Sequence, residues 1–90
     1  MVRAKFVVVR TESTQTQKKK DREKGWGREN LETVEMRTIV MVPVSGGSEE
    51  NKRFWEASPS GELKLGTVNP EAWREFDLGG EYYVDFSKAE

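Results

Sequence analysis

The segment ETVEMRTIVMVPV, residues 32–44, decides the fold of this chain because its apolar residues recur at every second position. Side chains alternate between the two faces of an extended strand, so this spacing predicts a β-strand. One face carries Val34, Met36, Val40, Val42 and Val44, interrupted only by Thr38. On the other face Glu35 and Arg37 give way to Ile39 and Met41, which predicts a strand with one end in water and the other in the core.

An earlier segment, AKFVVVRTE at residues 4–12, is apolar on both faces over residues 6–9, which is typical of a central strand. A polar stretch and a charged segment separate it from residues 32–44. We therefore predict a hairpin of two long strands whose flexible polar connection, at about 13–31, projects from the body as a basic hairpin or loop.

Shorter elements are predicted after this hairpin. SGGSEEN, residues 45–51, is typical of a turn because glycine and short polar side chains accept unusual backbone angles. Residues 54–57 and 62–68 flank the turn SPSG and indicate a short hairpin, with a bulge near Gly66.

A helix and a last strand complete the chain. Asn69 can cap a helix and Pro70 is favoured at its first position, so a short helix is predicted to run to about Phe76. Its periodicity predicts that Trp73 packs in the core. Residues 82–86 alternate as a strand, with Tyr82 facing the core.

Five strands and one helix in 90 residues would leave long exposed edges in an open sheet. We therefore predict a mainly β fold, a small five-stranded barrel or sandwich with one short helix before the last strand, as a single domain over residues 1–90. The parts resemble an OB-fold, the oligonucleotide/oligosaccharide-binding barrel, although that fold usually has its helix between the third and fourth strands.

The composition excludes several kinds of chemistry. The chain has no cysteine and no histidine, so disulfides, thiolate metal sites, cysteine nucleophiles and imidazole acid–base catalysis are ruled out. Carboxylates are scattered without the spacing of a metal site or an acid–base pair; they include Glu32, Glu35, Asp77, Glu81 and Asp85. We predict a protein that is not an enzyme and has no cofactor and no metal site.

The N-terminal apolar run is too short for a signal peptide, and no stretch approaches a membrane span. We expect a cytoplasmic protein that does not bind membranes. Abundant Glu, Lys and Arg with few Asn and Gln is typical of a thermophilic source.

The charge distribution is uneven. Residues 18–28, KKKDREKGWGR, carry six basic and two acidic side chains around Trp26, a local charge of +4, whereas the other 79 residues sum to −5. Such an oriented field favours an anionic partner at one end of the molecule.

The C-terminal third, with its SPSG turn, Asn69-Pro70 and the ending GEYYVDF at residues 80–86, resembles a family of short tailed-phage proteins whose function is mostly unassigned. The similarity includes the opening segment RAKFVV and covers about half of the chain. It implies a phage origin and a host-cell cytoplasmic setting, without naming a ligand. Relatives have a shorter connection between the first two strands, so the basic segment is this protein's own.

The basic segment predicts a protein that binds single-stranded DNA with little sequence preference, because cations can track phosphates while a tryptophan between two glycines stacks on a base. The predicted nucleic-acid-binding residues are Lys18, Lys19, Lys20, Arg22, Lys24, Trp26, Arg28, Arg37, Trp55 and Tyr83. Lys5 or Arg10 could extend the path. RNA in place of DNA, and self-association into a homo-oligomer, are compatible with this interpretation.

Two alternatives stay open. The basic segment can be a solvated hairpin with Trp26 folded back onto the body, since charge runs usually lie on solvated faces. The protein can also bind or sequester a host protein, a virion component or a nucleotide ligand, because Trp and Arg are preferred anchors of protein interfaces. Strand alternation should bury one of Phe54 and Trp55 and expose the other.

Overall fold

A computed structural model describes all residues of the chain, 1–90. Four antiparallel strands form one sheet in the order β3-β2-β1-β4. The strands are β1 (Val2–Lys19), β2 (Leu31–Pro43), β3 (Leu63–Thr67) and β4 (Glu81–Phe86); the helices are α1 (Glu49–Trp55) and α2 (Pro70–Trp73), with a 3₁₀ turn at Arg28–Asn30. Neither helix has the length and hydrophobicity of a membrane-spanning segment.

The fold is mainly β, as predicted, but the five-stranded barrel or sandwich with one helix is wrong. The sheet has four strands and stays open, with β3 and β4 as its edges. The missing strand is the segment 54–57, which ends helix α1 instead of pairing. Ser48 accepts a hydrogen bond from the Asn51 N–H and caps this helix, and Glu49 and Glu50 complement its dipole. The cap lay in the segment interpreted as a turn.

The β1–β2 hairpin is longer than predicted. Its strands pair from Phe6 opposite Pro43 to Lys19 opposite Leu31, so the polar stretch after Glu12 is strand and not loop. The bulge also lies elsewhere: the register shifts between Val8 and Arg10, whereas β2 and β3 pair without a shift past Gly66. β3 and β4 pair with only part of this hairpin, and beyond them β1 and β2 continue as a two-stranded ribbon.

This two-stranded extension, Thr14–Lys19 paired with Leu31–Met36, is called the arm below. Six residue pairs correspond to about 20 Å of ribbon. The chain measures 52 × 33 × 20 Å and its radius of gyration is 17.0 Å, against about 12 Å for a compact domain of this length. The arm therefore makes the molecule elongated.

The main core cluster is thin and lies on one face of the sheet, whereas Val40, which is also fully buried, lies on the other face. Only eight residues are buried, and the apolar cluster consists of Ala4, Phe6, Val8, Ile39 and Met41. Half-buried side chains complete it: Trp55, Leu63, Trp73, Phe76, Tyr82 and Val84. Trp73 and Tyr82 thus contact the core as predicted, although both keep some exposure. Trp55 turns inward while Phe54 stays exposed.

The predicted start of the second helix is correct, and its end is not. Asn69 accepts a hydrogen bond from the Glu71 N–H and Pro70 opens the helix, which ends at Trp73. The chain then turns back toward β4. The Tyr82 hydroxyl accepts from the Asp77 N–H and donates to the Glu75 carbonyl, which fixes this turn over the core.

Asn51 joins helix α1 to the sheet. Its side chain is fully buried and accepts from the Lys5 N–H at 2.6 Å and from the Trp55 indole N–H at 3.0 Å. Its amide donates to the carbonyls of Val44 and Gly46. Because β2 ends at Pro43, Asn51 supplies Lys5 with the hydrogen bond that a strand would otherwise give.

Replacing Asn51 with alanine should therefore destabilise the whole fold. The change leaves partly buried backbone groups of Lys5 and Val44 without partners, and a buried polar group left unpaired costs about 1–3 kcal/mol. We expect a loss of about 3 kcal/mol in the free energy of unfolding, measured by urea denaturation. Asn69→Ala, which removes only an exposed helix cap, should cost about 1 kcal/mol or less. Equal losses in the two variants would contradict the central role of Asn51.

Candidate nucleic-acid interface

The tip, residues 20–30, closes the end of the arm as an ordered loop. Asn30 is buried: its side-chain oxygen accepts from the Asp21 N–H at 3.0 Å, and its amide donates to the carbonyls of Asp21 and Gly25. Asp21 in turn accepts from the Glu23 N–H and so forms an Asx turn. The predicted flexible connection is thus short and internally hydrogen-bonded.

Trp26 projects from this tip and is 65% exposed. It does not fold back onto the core. The Lys19 ammonium lies 5.0 Å from the centre of its ring, a cation–π contact. The indole borders an open cleft of about 590 Å³ with Arg28 and the arm residues Gln17, Leu31, Glu32 and Thr33.

Gly27 permits a close approach within the tip. A Cβ at this position would lie 2.8 Å from the carboxylate of Glu29. The backbone of Gly27 is in an ordinary extended conformation, so the glycine is explained by space and not by a left-handed angle. Gly25, in contrast, has no neighbour near its missing Cβ.

The cations of the molecule fall into two groups. Seven of the fifteen lysines and arginines form ion pairs. The other eight are Lys19, Lys20, Arg22, Lys24, Arg28, Arg53, Arg74 and Lys88. The first five lie within residues 19–28, and of these Lys19 and Arg28 are placed next to Trp26. Charge on the sheet is mostly neutralised locally, whereas charge at the tip is available to a partner.

The tip field is weaker than the sequence of residues 18–28 suggests. Glu32 lies 3.6 Å from the Lys18 ammonium, and Glu29 packs beside Gly27. Including these two acids lowers the local charge from +4 to +2. Lys18, one of the predicted phosphate contacts, is therefore partly neutralised.

Three predicted site residues lie on the body and not at the tip. Arg37 donates to Glu35 at 3.0 Å and stacks on Trp73. Trp55 is half-buried and packs edge-on against Phe6 of the core cluster.

Tyr83 is also on the body. It is 49% exposed, and Arg3 and Lys5 lie 5.3 and 5.8 Å from its ring centre. Both cations also pair with acids, Arg3 with Asp85 and Lys5 with Glu81. Arg10 likewise pairs with Glu12. The cations expected to extend a phosphate path over the sheet are thus already occupied.

Sequence reasoning missed the residues that shape the tip, above all Asn30. Its signal was an asparagine immediately before a long strand, where turns commonly place this residue. Gln17 and Thr33 were also missed as lining of the cleft, because they face it only once β1 continues past Glu12.

Comparison with known proteins gives no relative: no protein-family model, no curated protein and no solved structure matches this chain.

Asn30→Ala should loosen the tip without unfolding the body. The variant removes three hydrogen bonds that hold Asp21 and Gly25, all of them remote from the core cluster. Hydrogen exchange should accelerate for amides of residues 20–30, while the amides of β1 facing β4 keep their protection. A uniform loss of protection over the whole sheet would contradict a separately organised tip.

The base of the arm should respond to pH through Glu35. Its carboxylate accepts hydrogen bonds from the Ser13 hydroxyl and from Arg37, and these bonds lower its pKa below the ordinary 4.5. Because the pKa of Glu35 is lower in the folded state, its ionised carboxylate stabilises the fold at pH values above the ordinary pKa. This stabilisation is lost as the pH falls through the pKa of the folded state. In Glu35→Gln, unfolding measured from pH 6 to about 3 should show a smaller acid-induced loss of stability. An unchanged slope would exclude Glu35 as a contributor.

Proposed function

We propose that this protein binds single-stranded nucleic acid, DNA in the first instance, with little sequence preference and through the tip. The observation that carries the proposal is one exposed indole in a segment, residues 19–28, whose five cations form no ion pair within the protein. No catalytic step is part of the proposal.

The chemistry of the tip fits a flexible polyanion. Lys20, Arg22, Lys24 and Arg28 can each approach a phosphate without first breaking an ion pair within the protein. Trp26 offers an aromatic surface for a base, and stacking on a protein aromatic contributes about 1–3 kcal/mol per base. Lys19, whose ammonium lies over the Trp26 ring, can move to a phosphate when a base takes its place on that ring.

Order in the tip favours binding. Asn30 and Asp21 already fix the loop, so less conformational entropy is lost when a ligand binds than for a disordered lysine run. The arm holds the tip about 20 Å from the last three-stranded part of the sheet, which lets a strand pass around it.

The proposal extends to the biological setting. The resemblance of RAKFVV and GEYYVDF to short tailed-phage proteins supports a phage-encoded protein that acts in the cytoplasm of the host cell. A thermophilic source belongs to the same proposal.

A second candidate function is binding of an acidic protein partner. The same exposed Trp26 and Arg28 support it, because these residue types anchor protein interfaces. The two functions differ in salt dependence, since a polyelectrolyte releases condensed counterions on binding and a folded protein partner does not.

The direct test is titration of fluorescently labelled single-stranded oligonucleotides at several salt concentrations. Neutralisation of about five phosphates predicts a slope of log K against log salt of about −3.5. Trp26→Ala should weaken binding about 5- to 150-fold through lost stacking. Lys24→Gln should reduce the slope by about 0.7.

Two control variants distinguish binding at the tip from attraction by cations elsewhere on the protein. Arg53→Gln removes an unpaired cation of α1 and should leave both affinity and slope unchanged. Trp26→Phe keeps an aromatic face and should lie between the wild type and Trp26→Ala. Equal affinity for duplex DNA together with no effect of Trp26→Ala would reduce the proposal to nonspecific polyanion attraction, and no binding in dilute buffer would end it.

A further inference from the structure

The outer edge of β4 is an unprotected strand edge. β4 is the last strand of the sheet and pairs only with β1. Natural proteins protect such edges with lysine, proline or a bulge. Residues 81–86, EYYVDF, contain neither lysine nor proline, and their pairing with β1 shows no register shift.

The opposite edge of the sheet differs. β3 carries Lys64 and Gly66 among its five residues, and α2 follows closely behind it. Both features discourage strand addition there. The two edges are therefore not equivalent, and β4 is the one open to pairing.

Hydrogen-bond directions show which backbone groups of β4 are free. The Lys5 N–H donates to Asn51 and the Lys5 carbonyl accepts from the Val44 N–H, so both groups of Lys5 point away from β4. Lys5 and its partner Tyr83 are consequently a non-hydrogen-bonded pair, and the N–H and C=O of Tyr83 point to the outer edge. By the same alternation the outer edge also presents the groups of Glu81 and Asp85.

Charge does not block this edge either. Lys5 neutralises Glu81 at 2.9 Å, and Arg3 makes a two-bond pair with Asp85. Apolar surface lies next to the edge: Phe86 is 46% exposed and stacks on the exposed Phe54. The outer edge of β4 therefore offers free backbone hydrogen-bonding groups, acidic side chains that are already neutralised by ion pairs, and aromatic rings.

We propose that two copies of this chain associate through antiparallel pairing of their β4 strands. The outward groups of residues 81, 83 and 85 restrict the register, because hydrogen-bonded pairs must join odd-numbered residues. Placing Val84 opposite the partner's Val84 sets Tyr83 opposite the partner's Asp85, Tyr82 opposite the partner's Phe86 and Glu81 opposite the partner's Ser87. No like charges face one another in this register, and aromatic rings pair on the core face.

Neighbouring registers are worse. A shift in one direction places Asp85 opposite the partner's Asp85, and a shift in the other places Glu81 opposite the partner's Asp85. Like charges directly opposite one another destabilise a strand pair. The complementarity of β4 to itself favours a second copy of the chain as the occupant, and the resulting eight-stranded sheet would carry its two arms in opposite directions.

Sedimentation at increasing concentration tests the association. We expect the weight-average mass to rise from 10.3 kDa toward twice that value between about 10 μM and 1 mM, the range of a small, weak interface. Tyr83→Pro removes an outward N–H that has no partner within the chain, so it should keep the protein monomeric. Tyr83→Thr keeps that N–H and should still associate.

The absence of cysteine allows a second test, which reads the strand register directly and not the mass. Val84→Cys places two thiols on the two-fold axis, at a separation typical of facing non-hydrogen-bonded residues, and should form a disulfide-linked dimer under mild oxidation. Ser87→Cys is the matched control, because its two copies lie six residue steps apart along the strands, about 20 Å. A monomer up to about 1 mM, association unaffected by Tyr83→Pro, or faster linkage of Ser87→Cys than of Val84→Cys would each overturn the proposal.

Discussion

Backbone pairing between β1 and β2, interrupted only by the register shift between Val8 and Arg10, holds both parts of this protein together. The same two strands supply the buried cluster at one end and the solvent-exposed arm at the other. A two-stranded ribbon alone is marginally stable in water. Here it is anchored, because the strands enter a four-stranded sheet where Phe6, Val8 and Ile39 bury their side chains. The arm is thus an extension of the core strands and not an independent hairpin.

Two asparagines perform similar tasks at opposite ends of this pairing. Asn51 and Asn30 are the only buried polar residues, and each accepts from a backbone N–H and donates to two carbonyls of a nearby loop. A buried polar group must be hydrogen-bonded, and an amide can satisfy donors and acceptors at once. In a chain with so few buried side chains, these amides organise the segments that apolar contacts do not reach.

Free positive charge is also distributed unevenly between the sheet and the tip. On the sheet, Arg3, Lys5, Arg10 and Lys64 each have a carboxylate within 4 Å, so the body offers little free positive charge. At the tip, residues 20–30, no cation has such a partner. Exposed ion pairs contribute little to stability, but they decide where an anionic ligand would meet free positive charge. The nearly neutral chain therefore presents a positive end together with its most exposed tryptophan.

Local patterns in the sequence were sufficient to predict the strands at residues 4–12 and 32–44, the helix start at Asn69 and Pro70, and the basic segment around Trp26. The reason is that alternation, capping and charge are properties of neighbouring residues. The helix at residues 49–55 also had local signals: Ser48 as a cap, and Asn51 and Trp55 four residues apart. The adjacent aromatic residues 54 and 55 obscured these signals because such a pair is also typical of a strand. Tertiary structure alone decided the continuation of β1 to Lys19, since polar residues become strand there only when β2 supplies hydrogen bonds. It also decided the pairing of Lys5, Arg10 and Arg37 with acids, and the open edges of the sheet, because partners distant along the chain determine both.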